Sequence, residues 1–125
     1  MSGDGVISVR LPRSLLDAFR ASAERQGIGM HEAASRVTSY LPSLTTDALM
    51  TLREPPRELD TPRVSLYVGW DGVDVLASLT SASVLTNSCI FRRLLYGLLV
   101  TKEIEFVQHN GHWKLQIASQ ENTGN

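Results

Sequence analysis

The chain has 125 residues, of which 42% are hydrophobic and 20% charged, and its formal net charge is −1. This balance predicts one globular domain over residues 1–125. No apolar run approaches the roughly 20 residues of a membrane span, and the first residues lack the basic and apolar regions of an export signal. The single Cys89 excludes an internal disulfide. A reducing, cytoplasmic location is therefore expected.

No pattern in the sequence indicates catalysis, a metal or a cofactor. His109 and His112 flank a predicted turn, and no third ligand is spaced to complete a zinc site with them. The sequence contains no Gly-x-Ser-x-Gly elbow, no P-loop and no Gly-x-Gly-x-x-Gly run. We therefore expect a protein that is not an enzyme and needs no cofactor.

The first predicted element is a short strand, Ile7-Ser8-Val9-Arg10-Leu11, in which apolar and polar residues alternate. Alternation with a period of two is typical of a half-buried strand. The same pattern returns 57 residues later as Val64-Ser65-Leu66-Tyr67-Val68. Strands this short are not stable alone, so the two copies are expected to pair with each other.

Two predicted helices follow the first strand. Pro12 ends the strand and opens a helix that reaches about Gln26, because the missing proline N–H has no helical partner in a first turn. Gly27 is the expected C-cap of this helix. A second helix continues to about Leu41.

Two predicted helices also follow the second strand, over residues 71–81 and 86–100. Asp71 and Thr86 are their expected N-caps, since both residue types accept a hydrogen bond from a first-turn N–H. The second of these helices is unusually apolar and is expected to be the central core helix. The sequence thus predicts two strand-helix-helix repeats, residues 6–41 and 63–98.

Residues 43–62 are predicted to link the repeats. They contain a short helix with Leu49 and Leu52 inward, followed by an extended stretch with three prolines, which fix φ and offer no donor. The length and stiffness of this linker fit a span across one domain rather than a hinge between two.

A β-hairpin is predicted over residues 103–118, because Asn110-Gly111 is a preferred pair for a two-residue turn. The turn sets His109 opposite His112, Gln108 opposite Trp113, Phe106 opposite Leu115 and Ile104 opposite Ile117. One face of the hairpin is then mostly apolar and is expected to pack on the domain through Ile104, Phe106, Trp113, Leu115 and Ile117. Residues 119–125 are expected to be disordered.

The first repeat resembles the ribbon-helix-helix repressors and antitoxins. The resemblance lies in a strand, a Leu11-Pro12-Arg13 step, an amphipathic helix, a Gly27-Ile28 turn and a helix with Glu32 near its start. It implies an α+β fold in which a ribbon-helix-helix pseudo-dimer is written into one chain, with the hairpin added at the C-terminal end. Gly29 stands where the family commonly has a capping serine, whereas Thr86 supplies a cap in the second repeat.

This resemblance also implies binding of double-stranded DNA with sequence preference. In the family, the outward face of the ribbon reads bases in the major groove, and the helix starts hold phosphates through free N–H groups. Ten of the twelve basic residues are arginine, which suits forked hydrogen bonding to guanine or phosphate. The implied base-contacting residues are Ser8, Arg10, Arg63, Ser65 and Tyr67. The implied phosphate-contacting residues are Gly29, Met30, His31, Thr86, Asn87 and Ser88.

The fused repeat, the proline-containing linker and the added hairpin are also similar to a family of Agrobacterium virulence proteins from the virC operon. The C-terminal domain of that family binds the overdrive enhancer beside the T-DNA border. The similarity implies an accessory role in border processing and transfer, with a partition-type ATPase and a relaxase as partners. It also implies a monomer that acts as a pseudo-dimer.

A second class of function remains open, since any half-buried ribbon shows polar residues to solvent. The chain would then be a protein-interaction module of a relaxosome or partition-type complex that keeps the same fold. Dependence of binding on salt separates the two classes, because phosphate contacts release counterions. If the chain does bind DNA, the unlike outward residues of the two repeats predict a non-palindromic site, since symmetric dimers read palindromes.

Overall fold

The computed structural model describes residues 5–118, which form α+β structure with two separate two-stranded antiparallel sheets. The first sheet is the ribbon formed by β1 (Val6–Arg10) and β2 (Arg63–Tyr67). The second is a hairpin of β3 (Ile104–His109) and β4 (His112–Ile117). The disorder expected for residues 119–125 lies outside the described residues.

Five α-helices lie within residues 5–118. They are α1 (Arg13–Arg25), α2 (Met30–Tyr40), α3 (Thr46–Thr51), α4 (Gly69–Ala82) and α5 (Asn87–Leu99), and a 3₁₀ turn at Leu41–Ser43 follows α2. No single helix in this part of the chain is long and apolar enough to cross a membrane. α4 and α5 reach the necessary length and hydropathy only when taken together, and a bend of 104° separates them.

The start of α4 corrects one prediction. The helix begins at Gly69 with Val68 in the N-cap position, so Asp71 lies in the first turn and is not the N-cap. Gly69 has a φ of 78°, a conformation that glycine adopts without a steric penalty, and the chain therefore turns into the helix directly after the strand. The carboxylate of Asp71 remains well placed to interact with the helix dipole.

The ribbon has the alternating burial that its sequence predicts. Its register pairs Val6 with Tyr67, Ile7 with Leu66, Ser8 with Ser65, Val9 with Val64 and Arg10 with Arg63. Ile7, Val9 and Leu66 are buried, and Val64 is half-buried against the same core. Ser8 and Ser65 form the central pair. Because the strands are antiparallel, each end of the ribbon combines the start of one strand with the end of the other.

The core beneath the ribbon is shared between the two halves of the chain. β1 contacts α5 from the second half, whereas β2 contacts α2 from the first half. The helices cross in the same way, since α1 contacts α5 and α2 contacts α4. The central residues of α5, among them Ile90, Phe91 and Leu94, are buried, as expected for a core helix.

The linker is held against both halves. α3 begins at its N-cap Thr45 and buries Leu49, while Arg93 on α5 donates to the carbonyl oxygens of Met50 and Leu52 at 2.9 and 2.7 Å. Further along, Asp60 accepts a hydrogen bond from Arg13 Nε at 2.8 Å, and Glu58 accepts from the hydroxyl and the N–H of Ser14. The extended segment is therefore fixed to the start of α1.

Glu54 forms the centre of a further linker contact. Its carboxylate accepts hydrogen bonds from the Cys89 thiol and from Arg92 Nε, each at 3.0 Å, and Arg93 Nε lies 3.9 Å away. Partial burial raises the pKa of Glu54, but the hydrogen bonds from Cys89 and Arg92 and the two arginine charges together outweigh it. The pKa of Glu54 is therefore held below its usual value.

We expect Glu54→Gln to lower the free energy of unfolding at pH 7 by about 1 kcal/mol, since the ion pair is partly exposed. A carboxylate whose pKa is lower in the folded state stabilises the fold above its unfolded pKa, and that stabilisation is lost as pH falls through the folded pKa. Urea unfolding should therefore separate wild type from variant at neutral pH and bring them together in acid. Glu24→Gln, at an exposed position on α1, is the matched control. A difference that persists unchanged in acid would contradict a role for the Glu54 charge.

The hairpin has the predicted register, from His109 opposite His112 to Ile104 opposite Ile117. The prediction that its whole apolar face packs on the domain is wrong. Ile104 and Leu115 are buried, and Phe106 packs edge-on against Tyr40 with ring centroids 5.6 Å apart, but Phe106, Trp113 and Ile117 remain 36, 49 and 44% exposed. The reason is that α5, α2 and the 3₁₀ turn cover only a band across the hairpin, where Ser43 Oγ accepts from the Leu115 N–H at 2.9 Å.

Candidate nucleic-acid interface

The outward face of the ribbon is open to solvent. The five residues predicted to contact bases lie on this one face and are all exposed: Ser8, Arg10, Arg63, Ser65 and Tyr67. Val6 completes the face and is 42% exposed. The strand alternation that buries Ile7, Val9 and Leu66 forces these six side chains outward. The structure thus brings every predicted base-contacting residue together.

Two arginines lie side by side at one end of this face. Arg10 and Arg63 are directly opposite in the register, and neither forms an ion pair with a carboxylate within residues 5–118. Arg63 Nη1 donates to Ser8 Oγ at 3.2 Å. Like charges directly opposite on a ribbon destabilise it. An anionic or acceptor-rich ligand in front of this end would relieve that repulsion.

The starts of α2 and α5 are tied to the two ends of the ribbon by equivalent hydrogen bonds. The Tyr67 N–H donates to His31 Nδ1 at 2.9 Å, and the Arg10 N–H donates to Ser88 Oγ at 2.9 Å. Both the donors and the acceptors are 57 residues apart. The side chains of His31 and Ser88, predicted to contact phosphate, therefore serve first as acceptors for the ribbon backbone. Because His31 accepts through Nδ1, a neutral ring carries its proton on Nε2.

These hydrogen bonds position the predicted phosphate-contacting N–H groups beside the ribbon. In α2 the N-cap Gly29 has no side chain to cap the helix, so the first-turn N–H groups from Met30 onward lack a partner within the helix. In α5 Thr86 Oγ1 accepts from the Cys89 N–H at 3.1 Å and leaves the N–H groups of Asn87 and Ser88 for another acceptor. One helix start is thus capped and the other is not.

We expect His31→Ala to lower the free energy of unfolding by about 1 kcal/mol, because the Tyr67 N–H loses its acceptor. His31→Ser should recover part of this loss, since serine is the residue that performs the equivalent task at position 88. Urea unfolding of the two variants measures the difference, with His109→Ala at the exposed hairpin turn as the control. Equal losses for the alanine and serine variants would show that the hydrogen bond does not stabilise the fold.

The structure adds two residues near the ribbon that the sequence prediction missed. Arg92 on α5 lies beside the arginine end, where its Nη1 donates to the Arg10 carbonyl oxygen at 3.4 Å. Trp70 follows the other end and is 61% exposed. A comparison of the two repeats could have pointed to Trp70, because it lies 57 residues after Arg13 and therefore occupies in the second repeat the position that a cation has in the first. No sequence signal places Arg92 beside Arg10, because that proximity arises from tertiary packing.

Within the described part of the chain, no group of three His, Cys, Asp or Glu side chains is arranged to hold a metal ion. Comparisons of the chain with models of protein families, with curated proteins and with solved structures give no match. The functional interpretation therefore depends on the ribbon, on its exposed arginines and on the two helix starts beside it.

Proposed function

We propose that the chain is a ribbon-helix-helix pseudo-dimer within one polypeptide and that it binds double-stranded DNA with sequence preference. The proposal rests on the ribbon, one face of which packs on helices from both halves while the other presents exposed polar side chains and two arginines without a carboxylate partner in residues 5–118. A two-stranded ribbon fits the major groove, where arginine donates to guanine O6 and N7 and serine bonds to either base type. The proposed base-contacting residues are Ser8, Arg10, Arg63, Ser65 and Tyr67.

The helix starts would provide the second set of contacts. First-turn N–H groups and the positive end of the helix dipole form a favourable site for a phosphate. The N–H groups of Met30 and His31 would hold one phosphate, and those of Asn87 and Ser88 another. Each of these phosphate sites would lie at one end of the ribbon, because His31 accepts a hydrogen bond from the Tyr67 N–H and Ser88 accepts one from the Arg10 N–H.

The biological role that we propose is assistance to T-DNA border processing and transfer in a bacterial cell, alongside a partition-type ATPase and a relaxase. The sequence resemblance alone supports this finer role. DNA flanking a T-DNA border is therefore the first substrate to test.

Titration of DNA binding against salt tests the proposed function. The logarithm of the affinity should fall linearly with the logarithm of the salt concentration, with a slope of about −0.9 for each phosphate contacted. Border-flanking duplex should be bound more tightly than unrelated duplex of the same length at each salt concentration. Absence of binding to either duplex, or an affinity that does not change with salt, would contradict the proposal.

The hairpin offers a specific reason to keep the protein-interaction function as a second candidate. Phe106, Trp113 and Ile117 leave apolar surface open, and Phe106 lines a cleft of about 350 Å³ together with residues that include Arg36 and Lys102. If this surface is the functional one, Trp113→Ala should abolish partner binding and Arg10→Ala should leave it intact. If DNA binding is the function, Arg10→Ala should weaken DNA binding and Trp113→Ala should leave DNA affinity unchanged.

A further inference from the structure

The two ends of the ribbon present different chemistry. Because the strands are antiparallel, Arg10 lies opposite Arg63 at one end and Val6 lies opposite Tyr67 at the other. The central pair, Ser8 and Ser65, is the same on both strands. The outward face therefore changes along its length from two guanidinium groups to an aliphatic side chain beside a phenol ring.

The surroundings of each end extend this difference. Arg92 lies close to the arginine end through its contact with the Arg10 carbonyl oxygen, but its charge is paired with Glu54, so the free positive charge of this end comes from Arg10 and Arg63. At the other end, the Tyr67 hydroxyl lies 3.8 Å from the position that a Cβ would take at Gly69, so the ring leans along the chain toward Gly69. The exposed indole of Trp70 follows directly. One end is thus cationic and the other aromatic and apolar.

Guanine and thymine show a matching difference in the groups that they present in the major groove. Guanine presents O6 and N7, two acceptors that match the arginine fork, whereas thymine presents a methyl group that takes apolar contacts. Arg10 and Arg63, which are directly opposite in the register and have no carboxylate partner within residues 5–118, are suited to guanine. The Val6 methyl groups and the edge of the Tyr67 ring are suited to thymine methyl groups. The Tyr67 hydroxyl is the one hydrogen-bond donor of these two side chains, and it leans along the chain toward Gly69.

We infer that the DNA site is polar, with guanine at the Arg10 and Arg63 end and thymine methyl groups at the Val6 and Tyr67 end. This inference rests on the proposed DNA binding and goes further, because it assigns a base type to each end of the ribbon. Ser8 and Ser65 tolerate several bases at the centre. The protein therefore binds its site in one orientation only.

Base analogues test the inference with the wild-type chain. A duplex carrying the sequence selected from random DNA is made with 7-deazaguanine, which lacks the N7 acceptor, or with uracil, which lacks the thymine methyl group. Loss of N7 should weaken binding about tenfold in one half of the site. Loss of the methyl group should weaken binding about fourfold in the other half. The same replacements made in the opposite halves should have little effect.

Two double variants assign the halves to the ribbon ends. Arg10→Ala with Arg63→Ala should become insensitive to 7-deazaguanine and stay sensitive to uracil. Val6→Ala with Tyr67→Ala should show the reverse. All four side chains are exposed, so each variant should remain folded, and the double arginine variant, which loses the repulsion between Arg10 and Arg63, should be no less stable than wild type.

The possible failures are distinguishable. Absence of binding to any duplex would overturn the proposed function itself. Binding without a consensus, a palindromic consensus, or sensitivity to both analogues in the same half would overturn the polar site while DNA binding stands. Equal responses of the two double variants would likewise overturn the assignment of bases to ends.

Discussion

Separated halves of the chain are expected to be unfolded. Cleavage between Pro55 and Pro56 gives one fragment with β1, α1, α2 and α3 and another with β2, α4, α5 and the hairpin. Each strand packs on a helix of the other fragment, so each fragment alone would expose the residues that now form the shared core. A two-stranded ribbon cannot form from one strand, and a single short strand is unstable. Circular dichroism and size-exclusion chromatography of the purified fragments measure the result.

The cleaved but unseparated chain is the control for this experiment. Its two fragments should stay together and unfold in a single transition, because only the linker connection is lost. Mixing the separated fragments should restore the helical signal. A fragment that is folded and monomeric alone would show that the core is not shared.

Arg10→Ala is expected to weaken binding to the preferred DNA by about 1–3 kcal/mol and to relax sequence preference at one position. The guanidinium is exposed, and residues 5–118 provide no ion pair for it. The hydrogen bonds of Arg10 to Ser88 and Arg92 involve only its backbone and persist in the variant. Thermal stability should therefore hardly change, whereas equilibrium binding to preferred and unrelated duplex should.

Arg20→Ala is the matched control, since it removes the same charge from an exposed position on α1, where Arg20 pairs with Asp17 at 3.4 Å. It should change affinity far less than Arg10→Ala. If Arg10→Ala lowers stability and leaves DNA affinity intact, Arg10 has a structural role and the base-contact assignment is wrong.

Local sequence patterns predicted the strands and helices, the antiparallel pairing of the ribbon and the register of the hairpin, but not the register of the ribbon. The alternation in residues 7–11 and 64–68 determines which face of the ribbon is buried, and the Asn110-Gly111 turn determines the hairpin pairing. The sequence does not reveal that Gly69 adopts a positive φ, so the start of α4 was predicted two residues too late. Burial of the hairpin was overestimated because alternation identifies an apolar face but not the width of the surface that covers it.

The residues of the candidate site were predictable as a set, but not their neighbours. A comparison of repeats pairs Arg10 with Tyr67, whereas the antiparallel register places Arg10 next to Arg63. The second task of His31 and Ser88, as acceptors for the ribbon backbone, depends on helix starts that come from the other half of the chain. Such long-range proximity is set by packing and leaves no local pattern.

The most direct measurement of DNA binding by the ribbon is methylation interference on border-flanking duplex with the whole chain. Dimethyl sulfate methylates guanine N7 in the major groove and adenine N3 in the minor groove, so one reaction probes both grooves. The ribbon model predicts that methylation at guanine N7 within the site blocks binding and that Arg10→Ala loses sensitivity at one of those guanines. Binding that is blocked only by adenine N3 methylation, or by neither, would contradict a ribbon in the major groove.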